Sequence, residues 1–473
     1  MNHKNRLSGV LLPTLLMLLP LGGCDNRQQK AQEAYAQYQA AKVSGDPRAT
    51  RMALVALVTA DDSNPQYWTE LGKICLQMSD FGAAYDAFQR AHELNRADAE
   101  VLTMLTQLAL RSGNLDTAAE NANQLDLISP GNAAIALTRG YVALQRADFD
   151  EADRQAAALL AASPYDGSGK VLQARILMAR DKPEQAITLL REQIRQQPSD
   201  AESLRVLASI YELRKQWADT ASTLRTYLSY VPTDANSRVR LVEAQLRSGQ
   251  VEPASEITLE AVEKENIDDL LAPWIAVGKQ ELIADRLFAW AKGASTGRRL
   301  AVARFLTTTS KPDRVLALTQ GEATLPVQPT NAVANALYAT ALGQSGRTQE
   351  ALSRLDAVVK LDGTNREALR ARALFRSRAG DRKGAIEDAQ RLVAADEASV
   401  SGRLLLARVY TAAGDADGAR RTLWDAFHDL GDQQAIYDAL LPLVAKSDDP
   451  QAAARLSKEF YDKRNQKLTR SFA

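Results

Sequence analysis

Four prolines constrain this chain more than any other feature. Pro130, Pro164, Pro198 and Pro232 stand 34 residues apart. Proline has no N–H to donate and its ring clashes with the preceding turn, so each one stops a helix. A stop signal at a fixed interval means that one short unit is repeated. A unit of 34 residues cannot shield its own apolar side chains and must stack on its neighbours. The total of 473 residues, too many for one compact core, fits such an array.

Placing those prolines at position 32 sets repeat starts at Ala31, Pro65, Ala99, Ala133, Gly167, Ala201 and Ala235. A second run in the same register starts at Ala332, Arg366 and Val400. Position 20 is alanine in eight of these ten repeats, from Ala84 to Ala419, and Thr50 and Thr220 complete it. Position 8 is small as well (Gly72, Gly140, Ala174, Ala208, Ala339, Ala373, Ala407). Small residues at two fixed places let the helices of a hairpin approach closely. Position 15 holds Gly45, Gly113, Gly249, Gly346, Gly380 and Gly414, where glycine ends the first helix in a left-handed turn. Ala and Leu recur throughout and glycine and proline are few, which favours helix over sheet.

Trp68-x-x-Leu71-Gly72, followed by Ala84, Phe88 and Ala91, resembles the tetratricopeptide repeat (TPR) family, whose period is also 34. The resemblance implies an all-α, right-handed superhelical solenoid of about twelve helix pairs. Seven repeats are expected over 31–268, degenerate helical repeats over 269–331, three repeats over 332–433, and capping helices with a basic tail over 434–473. In the degenerate segment helices are expected at 270–279, 281–292, 298–306 and 312–319, with a loop at 323–330. Its lost register reads either as drift in ordinary repeats or as a hinge or partner site between two arms.

The N-terminus is a separate signal. Lys4 and Arg6 precede an apolar run from Val10 to Pro20, too short to span a bilayer and suited to a secretory signal. Leu21-Gly22-Gly23-Cys24 resembles the lipobox of bacterial lipoproteins. That resemblance implies removal of 1–23, acylation of Cys24, and a short tether over 24–30 before the first helix. Asp25 and Asn26 resemble the residues that retain such proteins in the inner membrane of enteric bacteria. The expected location is therefore the envelope of a Gram-negative bacterium, facing the periplasm.

Little in the chain carries chemistry. Lys+Arg and Asp+Glu are both 58, so there is no basic excess for nucleic acid. Cys24 and Cys75 cannot build a disulfide framework, and Cys75 falls on an inward position. The three histidines lack zinc spacing, and Gly167-Ser168-Gly169-Lys170 lacks that of a phosphate loop. No metal, cofactor or catalytic group is expected.

In TPR proteins the first helix of each pair lines the concave face, with positions 2, 5, 9 and 12 reaching ligands. Carried onto this chain, those positions give Leu137, Tyr141, Leu144, Val171, Arg175, Met178, Arg205, Arg370 and Arg408. Aromatic, aliphatic and arginine side chains together suit an extended or helical peptide. The resemblance thus implies a lipid-anchored scaffold for envelope assembly or secretion, exopolysaccharide export included. The alternatives are a polysaccharide-binding or polymer-guiding lipoprotein, for which Tyr35 and Tyr141 are the aromatics that stand out, and an enzyme with its site in 269–331.

Overall fold

A computed structural model describes residues 22–78, 80–162, 167–431, 433–446, 451–460 and 463, with side chains from 28 onward. The segment expected to be the signal peptide lies almost wholly outside the described residues. So do the side chains of Cys24, Asp25 and Asn26. Among the described residues all regular structure is helical.

The chain divides into two compact units, Met1–Pro164 and Tyr165–Ala473. The first holds α1 (Gly22–Ser44), α2 (Pro47–Ala60), α3 (Pro65–Gln77), α4 (Phe81–Leu94), α5 (Ala99–Arg111), α6 (Leu115–Ile128), α7 (Ala133–Gln145) and α8 (Phe149–Ala162). The second begins with α9 (Gly167–Ala179), α10 (Pro183–Gln196), α11 (Ala201–Leu213), α12 (Trp217–Tyr230), α13 (Ala235–Arg247) and α14 (Val251–Ala261). It continues through α15 (Ile267–Ala276), α16 (Gln280–Ala291), α17 (Thr296–Leu306) and α18 (Pro312–Thr319). It closes with α19 (Ala332–Gln344), α20 (Thr348–Leu361), α21 (Arg366–Arg378), α22 (Arg382–Ala395), α23 (Val400–Ala413), α24 (Ala416–Leu430) and α25 (Gln434–Ala445). Residues 452–460 form a further helix. The seven-repeat run is thus shared between the two units.

Nine of the ten expected repeat starts are the first residue of a helix, from Pro65 of α3 to Val400 of α23. The tenth, Ala31, lies inside α1. The tether expected over 24–30 is itself helical, because Arg27 to Ala34 is a run of good helix formers with no stop signal. Each odd-numbered helix up to α23 packs on its successor as a hairpin, except α15, which packs on α13 and α17 instead. Ala84, Ala118, Ala152, Ala186, Thr220, Ala254, Ala351, Ala385 and Ala419 are completely buried at position 20, as the hairpin requires.

All six glycines of position 15 have positive φ, between 70° and 86°. The same position holds Ala147, Asp181 and Lys215 in three consecutive repeats, and these too are left-handed, at φ 58°, 57° and 56°. The turn therefore belongs to the hairpin and not to glycine. Ser79, the tenth occupant, is outside the described residues.

The degenerate segment is short-helixed but densely packed. Its helices run 10, 12, 11 and 8 residues. Leu270, Trp274, Ile283, Leu287, Val302, Leu306 and Val315 form one buried cluster with Val242 and Leu246 of α13 and Leu337 of α19. Trp274 is wholly buried, and its Nε1–H donates to Thr258 Oγ1 at 3.1 Å. First helices pack on one another without interruption, α13 on α15, α15 on α17 and α17 on α19. A hinge would need sparse contacts; this segment has a core continuous with both flanks. At the far end Tyr437 stacks on Phe460 with centroids 4.2 Å apart, closing α25 and the 452–460 helix over the last repeat.

Candidate functional site

In the second unit the first helices α15, α17, α19, α21 and α23 lie side by side. A cavity of about 390 Å³ opens along them. Leu337, Thr340, Leu374 and Leu392 form its apolar and neutral lining, and Asp268, Arg304, Arg366, Glu367 and Arg370 its charged rim.

One side chain organises the rim. Arg304 of α17 donates from Nε to Glu367 Oε1 of α21 at 2.7 Å and from Nη1 to Asp268 Oδ2 of α15 at 3.2 Å. It thereby reaches past α19 to the helix beyond. Small residues make this possible: buried Ala332, Ala334, Ala336, Ala339, Ala341 and Gly343 let α19 sink between its neighbours. The Phe375 ring of α21 packs onto the Gly343 backbone, where a Cβ would collide with it. Arg366 is drawn outward to Asp396, at 2.6 Å. Arg370 is exposed and makes no ion pair among the described residues. The cavity thus offers an apolar floor, a fixed ion triad on one side and one available guanidinium.

The other expected contact residues are placed unequally. Arg408 is exposed on α23 and, like Arg370, has no ion pair among the described residues. Leu137, Tyr141 and Met178 are half-buried. Leu144 and Val171 are 1 % exposed and belong to the core, which corrects their assignment to an open face. Val171 belongs to a buried cluster with Ile187 and Leu190 of α10 and Val206 of α11, which leaves it no surface for a ligand. Arg175 is also buried, and it donates to Glu202 Oε1 at 3.3 Å. Arg205 donates from Nε to Glu202 Oε2 at 2.8 Å. Burial pushes the Glu202 carboxyl up, but the Arg205 hydrogen bonds and both guanidinium charges outweigh it and hold the group below the usual carboxylate range. One repeat on, Arg240 makes a two-pronged bond to Glu212, 2.9 Å on each arm, and reaches Ser209 Oγ at 3.0 Å. Arg175 and Arg240 thus join neighbouring repeats, whereas Arg205 pairs within its own helix.

No group of three or more His, Cys, Asp or Glu placed to hold a metal occurs among the described residues. Cys75 is buried, and burial pushes its thiol up, which disfavours the reactive thiolate. No described helix is long and apolar enough to cross a membrane.

Residues 171–237, from α9 to the start of α13, match the tetratricopeptide repeat family. No curated protein matches the chain. Among solved structures, a tetratricopeptide repeat protein from Parabacteroides merdae is 18 % identical over 52 % of this chain and 99 % of its own, with a TM-score of 0.39. A TPR protein of Thermus thermophilus is 21 % identical over 39 % of this chain and 100 % of its own, with a TM-score of 0.35. Yeast Tom70 is 13 % identical over 91 % of this chain and 100 % of its own, with a TM-score of 0.32. Among the described residues the chain is an all-α array of helical hairpins, and the tetratricopeptide match over 171–237 suggests a protein-interaction scaffold.

Proposed function

We propose that this chain is a lipid-anchored adaptor of the bacterial envelope that holds a peptide segment of a partner protein along the first helices of its second unit. The observation that carries the reading is the cavity beside Arg370. An apolar floor of Leu337 and Leu374 lies next to an exposed guanidinium that nothing else engages among the described residues. Desolvated apolar contact supplies affinity there, and the arginine supplies orientation. The lipobox-like Leu21–Cys24 supports attachment through Cys24, and Asp25 and Asn26 support the inner membrane, with the folded part in the periplasm.

Two substitutions test the two halves. Cys24→Ala moves the chain from the membrane fraction to the soluble periplasmic fraction; a variant still floating with membrane overturns the anchor. A photo-crosslinking residue at Leu374 captures a partner in living cells, and Arg370→Glu removes that adduct while the melting curve stays unchanged. An adduct indifferent to Arg370→Glu overturns the groove assignment.

A further inference from the structure

The outward face of α2 differs from its counterparts in the other repeats. Position 22 is polar or charged in nine of the ten repeats, as in Asp86, Glu120, Glu256 and Glu387, but in the first it is Met52. Met52 is 74 % exposed and Val55, one turn on, is 47 % exposed. Position 18, in the first turn of the second helix, is acidic in Asp116, Asp150, Glu184, Glu252 and Asp417, where a carboxylate favours the helix dipole. In α2 it is Arg48, a charge of the wrong sign for helix stability that only Lys383 of α22 shares at this position. Arg48, Met52, Val55, Ala56 and Thr59 follow at helical spacing and are all exposed. The combination of a basic position 18 with an apolar position 22 occurs only here, on one stripe that is basic at one end, apolar in the middle and closed by Thr59.

This stripe is held rigidly to the start of the chain. Leu54 and Leu57, on the opposite side of α2, are buried against Ala34 and Tyr38 of α1. Helix α1 runs unbroken from Gly22 through Cys24 to Ser44, so the stripe and the cysteine share one hairpin. The separation along α1 is at most about 30 Å at 1.5 Å per residue.

We propose that the Arg48–Met52–Val55–Thr59 stripe lies on the lipid surface that carries Cys24, with Met52 and Val55 at the acyl boundary and Arg48 at the lipid phosphates. This rests on Cys24 being lipid-bearing. A few partly inserted side chains bind a bilayer weakly alone; tethering through the same hairpin raises their effective concentration at the surface. The first repeat then lies flat on the membrane.

The lipidated full chain is reconstituted into vesicles of phosphatidylethanolamine and phosphatidylglycerol carrying a doxyl-labelled phospholipid. An environment-sensitive fluorophore is attached to Met52→Cys or to the register-equivalent Asp86→Cys; buried Cys75 is spared. The expected result is lipid quenching at position 52 at least about twofold above position 86, abolished by Val55→Glu with Arg48→Glu while flotation persists. Equal quenching at both positions in a chain that floats overturns the stripe and leaves the anchor standing. Shielding of position 52 that depends on protein concentration and not on lipid assigns the face to a second copy and also overturns it. A wild-type chain that fails to float overturns both readings.

Discussion

The tip of the Phe88 ring is seated on the backbone of Gly72: a Cβ built on that glycine would stand 2.7 Å from Cζ. The two residues occupy positions 8 and 24 of one repeat, and their contact sets the spacing of α3 and α4. Gly72→Ala is expected to weaken this hairpin by about 1–3 kcal/mol, the usual cost of overpacking. Phe88→Leu costs on its own but recovers part of the loss in the Gly72→Ala background, since the two changes act on one contact. Hydrogen exchange of α3 and α4 amides reads both; strictly additive effects would show that the ring does not set the spacing.

The left-handed residues that are not glycine allow a gain. Lys215→Gly removes a Cβ clash worth about 1–2 kcal/mol and adds chain entropy to the unfolded state, for a net stabilisation of about 0.5–1 kcal/mol. Asp181→Gly gains less, because a short polar side chain tolerates this conformation better. A thermal shift in the order Lys215→Gly above Asp181→Gly is the expected result.

Tyr227 ties α12 to α13. Its hydroxyl donates to Asp234 Oδ2 at 2.9 Å, and the same oxygen accepts from Ser237 Oγ at 2.9 Å. Burial first, then the Asp234 hydrogen bond and charge, push the phenol up to about 12 from an ordinary 10.0. Protonated phenol is the form the fold prefers, so this contribution is complete below pH 10.0 and is lost as pH rises towards 12. Asp234 shifts the other way. Burial raises it, but bonds from Ser237 and Tyr227 hold it below 3.8, so its contribution stands above that pH and fades as pH falls further. Tyr227→Phe should flatten the alkaline limb of the stability profile and spare most of the acid one.

Asp388 is 1 % exposed and accepts from Arg372 Nε at 2.8 Å and Arg376 Nη1 at 3.0 Å. Arg372 is itself buried and also reaches Asp356 at 2.8 Å. Asp388→Ala leaves a buried guanidinium short of charge and is expected to cost about 3–5 kcal/mol. Asp388→Leu combined with Arg372→Met should cost less than Asp388→Ala alone, since no buried charge is stranded. Urea melts of the three variants decide it.

Much of this molecule is legible in its sequence for a physical reason: a repeat states the same constraint many times. One glycine at position 15 says little, but six say where the turn falls, and the helix starts at Pro65, Ala99 and Val400 follow. Trp274 was not legible as a core anchor, because its segment keeps helical pattern without the period. The cavity was half legible. Register singles out Arg370 and Arg408, both exposed, but register alone cannot tell an arginine awaiting a partner from one already engaged. Arg175 lies 27 residues from Glu202, and Arg304 lies 63 from Glu367. The first depends on how α11 stacks on α9 and the second on how deeply α19 sinks, and neither is written in the local pattern.

The span from Asp268 through Arg304 to Glu367 has a further consequence for length. It walls one side of the cavity, so a segment held there would lie beside it, across α19, α21 and α23. Three helices at 8–10 Å spacing give a run of about 30 Å, room for roughly nine extended residues. Recognition here would then read a short linear word and ignore the rest of the protein that carries it.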